Sequence, residues 1–237
     1  MCPNNIQSEK RHLELTGEKV IVALDSLSLD NALALAEKLK GRVWGFKVND
    51  LLLSEGVSII SQLKNYGRVF ADPKLYDIPN TVKNSVAALS KAGASLITVH
   101  ASGGRKMMEA AVSAAQDYPT QILAVTVLTS FDEEDTREIY LRGARDLVKL
   151  LAEKAKQAGC RGVVCSPKEA EMFSASSDLH GLLKVTPGIR LSPSSDDDQK
   201  RTSSARSALA AGSDLLVIGR PITESDCPVS ALAKVMA

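Results

Sequence analysis

The run "DPKLYDIPNT", residues 72–81, sets Asp72, Lys74 and Asp77 close together directly after the apolar stretch "GRVFA". Two readings compete. In the first, this is a solvated loop in which charges fall together by chance, as they commonly do after a strand. In the second, strand geometry operates. Residues i and i+2 point the same way, so Asp72 and Lys74 share one face while Pro73 turns away. A carboxylate and an ammonium held side by side at a strand end could do chemistry. The elements built around them decide between the readings.

Short β-rich runs alternate with helical ones along the chain. The strands read are 20–24, 43–48, 68–72, 96–100, 121–127, 162–166, 182–186 and 214–219. They are near-continuous apolar runs, as parallel strands covered on both faces require. Helical segments lie between them at 28–41, 80–93, 144–159 and 203–212, each ending in glycine (Gly41, Gly93, Gly159, Gly212). Alternation of this kind implies right-handed βαβ units. Eight of them in a chain this long predict an α/β fold, a single (β/α)8 TIM barrel, over residues 20–237. Residues 1–19 read as a polar lead-in. The alternative is an open doubly wound sheet, but no GxGxxG follows the first strand. The longest polar loop is "LSPSSDDDQKR", residues 191–201.

Barrels work at the C-terminal ends of their strands. Those ends carry, in order, Asp25, Lys47, Asp72 with Lys74, His100, Thr129 with Ser130, Ser166, Arg190, and Gly219 with Arg220. Repeated around a ring, such groups describe a polar pocket and favour the functional reading of Asp72 and Lys74. "TPGIR" and "VIGRP" follow strands seven and eight, where barrels often hold phosphate. Glycine admits backbone N–H groups to the oxygens, and arginine makes forked hydrogen bonds. Gln199 could add a donor from the long loop, whereas the acidic run 195–198 reads as solvated. Opposite stand Asp25, Lys47, Asp72 and Lys74, alternating in sign. No histidine cluster suggests a metal. The implied substrate has a phosphate at one end and a centre that gains negative charge beside a lysine.

Bulk properties exclude other classes. Hydrophobic residues make up 44% and charged residues 24% of 237, with net charge +1, so no electrostatic case exists for nucleic acid or a membrane surface. No apolar run approaches the ~20 residues that span a bilayer. The polar start lacks a signal-peptide core, and a cytoplasmic location is expected. Cys2, Cys160, Cys165 and Cys227 form no CxxC pair and are expected to be reduced thiols.

"DPKLYDIPNT" resembles the D-x-K-x-x-D-I signature of the orotidine 5′-phosphate decarboxylase family. Further similar stations are "ALD" at 23–25, "FKV" at 46–48, "VHASGG" at 99–104, "VTVLTS" at 125–130, "VVCS" at 163–166, "VTPGIR" at 185–190 and "IGRPIT" at 218–223. The resemblance implies cofactor-free decarboxylation of orotidine 5′-phosphate to UMP and CO₂, the last step of UMP biosynthesis. It implies that Lys74 protonates C6, that Asp72 sits against the substrate carboxylate, and that Lys47 binds the ribose and holds Asp72. Asp25 would contact the ribose, Thr129 the pyrimidine edge, and Arg190, Gln199, Gly219 and Arg220 the phosphate. Asp77, Ile78 and Thr81 would reach into the site of a second subunit, giving a homodimer with shared sites. His100 would have a supporting part. Pro73, Leu75, Tyr76 and Asn49 depart from the usual pattern. Two rivals remain: a Mg²⁺-dependent sugar-phosphate decarboxylase or aldolase of the same superfamily, which has Glu at the position of Lys47, and an inactive phosphate-binding barrel.

Overall fold

The computed structural model describes residues 17–190 and 203–237. Gln199, the 195–198 acidic run and most of the lead-in therefore lie outside the described residues. The strands are β1 (Val20–Ala23), β2 (Gly45–Val48), β3 (Arg68–Leu75), β4 (Leu96–His100), β5 (Gln121–Val125), β6 (Gly162–Val164), β7 (Leu183–Thr186) and β8 (Leu215–Ile218). Every pair is parallel, the order follows the sequence, and β8 closes on β1. This is the expected (β/α)8 barrel.

Local signals account for the helices. Helix Leu29–Leu39 is capped by the Ser28 hydroxyl, which accepts from the Asn31 N–H at 3.4 Å. Helix Pro79–Ala92 starts on a proline, whose missing N–H costs nothing in a first turn, and stops at Gly93. Gly41, Gly93, Gly159 and Gly212 all have positive φ, the backbone that ends a helix and that side chains resist. Helices Ala144–Gln157 and Ala205–Ala210 complete the four that were read. The structure adds short helices the sequence reading passed over. Asp50–Ser54 and Ser58–Leu63 lie between β2 and β3, and Glu133–Tyr140 follows β5 behind an Asp132 capping box.

The period-2 pleat divides the apolar residues into two layers. Ile21, Ala23, Phe70, Leu96, Leu123, Val185, Leu215 and Val217 fill the barrel interior. Val20, Val22, Phe46, Val69 and Ala71 face outward into the helix layer. Both faces are dry, which is why the strands carry no polar alternation. At Gly45 a Cβ would lie 2.1 Å from the Arg68 carbonyl oxygen, so β2 and β3 can approach only with glycine there. Continuing each inward row by two residues reaches the mouth. Ala23 leads to Asp25, Gly45 to Lys47, Phe70 to Asp72, and Leu96 to Thr98.

β4 has its expected bounds, β1, β2, β5, β6, β7 and β8 are one or two residues shorter than the stretches read for them, and one strand is longer. β3 runs on to Leu75 rather than ending at Asp72, and its register against β4 shifts. Ala71 pairs with Ile97, but Leu75 pairs with Val99, so β3 bulges by two residues. Cys160 and Cys165 are free and buried, with burial pushing the Cys160 thiol up to about 12 and the Cys165 thiol upward too. Cys2 lies outside the described residues. No helix among the described residues is long and apolar enough to cross a membrane.

Candidate active site

A cavity of about 640 Å³ opens at the C-terminal mouth of the barrel. Asp25, Lys47, Asp72, Lys74, Thr129, Arg190, Gly219 and Arg220 all line it. Eight predicted site residues, read from six different strand ends, are thus brought together. Asp77, Ile78 and Thr81 do not line it and are exposed on the rim and the first turn of helix Pro79–Ala92.

The charged side is a chain of alternating sign. The Lys47 Nζ donates to Asp25 Oδ2 at 2.7 Å and Oδ1 at 2.9 Å, and lies 3.5 Å from Asp72 Oδ2. The Lys74 Nζ donates to that same Asp72 oxygen at 2.8 Å. Lys47 and Asp72 are buried, at 7% and 6% exposure, whereas Lys74 reaches into the cavity. Buried charges persist only when paired and hydrogen-bonded. Asp72 meets this condition on both oxygens, because the Thr98 hydroxyl donates to its Oδ1 at 2.8 Å. Among the described residues no group of three or more His, Cys, Asp or Glu could hold a metal ion.

Asp72 and Lys74 meet as expected, but not by regular alternation. Lys74 has φ of +49°, a left-handed backbone that costs a non-glycine residue about 1–2 kcal/mol. The bulge in β3 absorbs it. The Lys74 N–H donates to the Thr98 hydroxyl at 2.9 Å, and the Asn49 amide donates to the Asp72 carbonyl oxygen at 2.7 Å. Asn49 thus braces the strand from the β2 side. The turn after Asp25 is held similarly. Ser26 has φ of +63°, and its N–H donates to Asp50 Oδ2 at 2.6 Å.

Elsewhere on the mouth, Arg190 follows β7. Its N–H donates to the Ser203 carbonyl at 3.0 Å, and Ile189 bridges to Ser203. Gly219 and Arg220 open the short helix Arg220–Thr223 after β8. A Cβ at Gly219 would meet Ala23 Cβ no closer than 3.6 Å, so what glycine keeps open is the cavity wall. His100 ends β4 against the Tyr76 ring, with centroids 5.8 Å apart and planes inclined at 51°. Burial and then the Lys74 ammonium push its imidazole below the usual value, while Asp72 pulls it up.

Sequence reasoning missed Thr98 and Asp50. Thr98 reads as an ordinary β-branched residue in "LITVH". Its distinction is to stand two residues beyond Leu96 on the inward face, which only the β3–β4 register reveals.

Fold and site together define a class: a (β/α)8 barrel whose mouth carries an acid–lysine chain after β1 to β3 and arginines after β7 and β8. The chain belongs to the orotidine 5′-phosphate decarboxylase / HUMPS family, whose profile matches residues 18–235. It is 43% identical over 224 residues to the orotidine 5′-phosphate decarboxylase of Marinomonas sp. (strain MWYL1), covering 92% of this chain and 95% of that relative. Against the orotidine 5′-phosphate decarboxylase of Coxiella burnetii (strain RSA 331 / Henzerling II), identity is 40%, covering 93% and 96%. Among solved structures, the orotidine 5′-phosphate decarboxylase of Lactobacillus acidophilus superposes with a TM-score of 0.76 at 33% identity, covering 91% of this chain and 96% of that one. An uncharacterized conserved protein from Geobacillus kaustophilus superposes at 0.77 with 36% identity, covering 91% and 97%.

Proposed function

We propose that this chain decarboxylates orotidine 5′-phosphate to UMP and CO₂, the last step of UMP biosynthesis. Beyond family membership, the observation that carries the reading is the alternating chain Asp25–Lys47–Asp72–Lys74, lining one cavity together with Arg190 and Arg220.

The chemistry follows from charge. When the C6–carboxylate bond breaks, its electron pair stays on C6, where no adjacent π-system absorbs it. The Lys74 ammonium, already in place, stabilises that charge and passes a proton to C6. Asp72 holds the ammonium and faces the substrate carboxylate, which leaves as neutral CO₂. Lys47 and Asp25 hold the ribose, Thr129 the pyrimidine edge, and Arg190, Gly219, Arg220 and Gln199 the phosphate. No cofactor is required. Phosphate binding, remote from C6, orders the site and so raises turnover as well as affinity.

Asp77, Ile78 and Thr81 serve the site of a second subunit in a homodimer. Their exposure outside the cavity of their own chain supports this role. A cytoplasmic location goes with the reading.

The test follows the absorbance of orotidine 5′-phosphate with and without EDTA. Turnover is expected and is unchanged by the chelator. Absence of turnover defeats the reading. Activity that vanishes with EDTA and returns with Mg²⁺ defeats its metal-free mechanism.

A further inference from the structure

Asp72 and Lys74 are separated by one residue in sequence, and a single group from another strand bonds to both. β3 inserts two extra residues against β4 between Ala71 and Leu75, and both charged residues lie in the insertion. An insertion of this kind leaves residues unpaired, disrupts the ladder locally and re-aims the side chains it carries. Thr98 spans it. Its side chain is fully buried, at 0% exposure, and its single hydroxyl fills two roles. It donates to Asp72 Oδ1 at 2.8 Å and accepts the Lys74 N–H at 2.9 Å. One proton points at the carboxylate, so a lone pair is left for the amide. The same oxygen therefore grips residue 72 by its side chain and residue 74 by its backbone.

Thr98 does not line the cavity, so it does not touch a bound substrate. We propose that Thr98 is a positioning residue for the reaction, one that holds the β3 bulge so that the Lys74 ammonium stands against Asp72. This rests on the decarboxylase reading for its kinetic consequence, though not for its geometric one. The competing account is a barrel threonine that merely satisfies its own hydroxyl. The two differ in what valine should do there. Valine fills the same volume in the same dry interior, so a packing role is preserved. A positioning role is lost, since neither the Asp72 oxygen nor the Lys74 N–H retains its partner.

The experiment compares Thr98→Val and Thr98→Ser with wild type. In Thr98→Val, kcat is expected to fall about 10- to 100-fold, the scale of a misplacement of roughly 1 Å at a reacting group. The Kd for UMP, dominated by the distant phosphate, should change less than about threefold. Thr98→Ser, which restores the hydroxyl and lacks the methyl, should recover most of the lost kcat. Wild-type kcat in Thr98→Val, or a serine variant as impaired as the valine one, overturns the proposal. A crystal structure of Thr98→Val gives a readout independent of activity. It should show Lys74 out of the left-handed region or its ammonium withdrawn from Asp72, and an unchanged bulge overturns the proposal even if orotidine 5′-phosphate is not the substrate. Should the valine variant prove insoluble, Thr98→Ala is compared with Thr98→Ser, since both lack the methyl and differ only in the hydroxyl, and an alanine variant as active as the serine one overturns the proposal.

Discussion

At the scale of single residues, the site turns on how one ammonium is held. Lys74→Ala should leave a folded protein with turnover lost, and retention of more than about a hundredth of the wild-type rate would contradict its role, because positioned proton transfer is worth about 10²–10⁴. His100 reports the same charge without any turnover. Its imidazole lies below the ordinary 6.5, lowered by burial and then by Lys74. Removing the Lys74 charge should raise it, as read by NMR titration of the ring protons, and a fall would contradict the assignment. The sign for stability follows. Below 6.5 the unfolded chain binds a proton that the folded one resists, so His100 favours folding above that pH. This contribution is lost as pH falls through the lower folded value. His100→Gln should flatten this part of the stability–pH curve.

At the scale of elements, Arg190 after β7 and Gly219 with Arg220 after β8 line the part of the cavity assigned to phosphate. Arg220→Ala should weaken UMP much more than uridine, which lacks the phosphate, and equal losses would mean a structural arginine. Gly219→Ala should behave likewise while folding normally, because a Cβ meets only ordinary contacts with the protein. The strand order and the ring of polar strand ends were legible because each rests on local signals: dry runs, glycine stops and the residue after each run. The bulge in β3 was not legible. It depends on pairing with a strand some 25 residues later, and "DPKL" carries no mark of where Val99 will fall. Asn49 stood out as unusual, yet its bond to the Asp72 carbonyl required the neighbouring strand to be in place.

At the scale of the whole molecule, "DPKLYDIPNT" divides between two destinations. Asp72 and Lys74 face their own cavity, while Asp77, Ile78 and Thr81 are assigned to a partner's. Lys74→Ala and Asp77→Ala should then each be inactive alone, yet recover activity when mixed and allowed to exchange subunits. Random pairing makes half the dimers mixed, each with one intact site, so roughly a quarter of all sites should work. Lys74→Ala mixed with Asp72→Ala should stay inactive, and no recovery in the first mixture despite exchange would confine Asp77 to its own chain. The closure of β8 on β1 has a consequence for how the molecule comes to exist. The acid–lysine wall comes from the first 75 residues, and the arginine wall from the last fifty. During synthesis the first wall is complete long before the second emerges, and until then Ile21 and its neighbours present an open sheet edge. Such long-range pairing is slow and prone to aggregation. The strand that brings Arg220 to the cavity is also the one that seals that edge, so binding competence and escape from misassembly arrive in the same step.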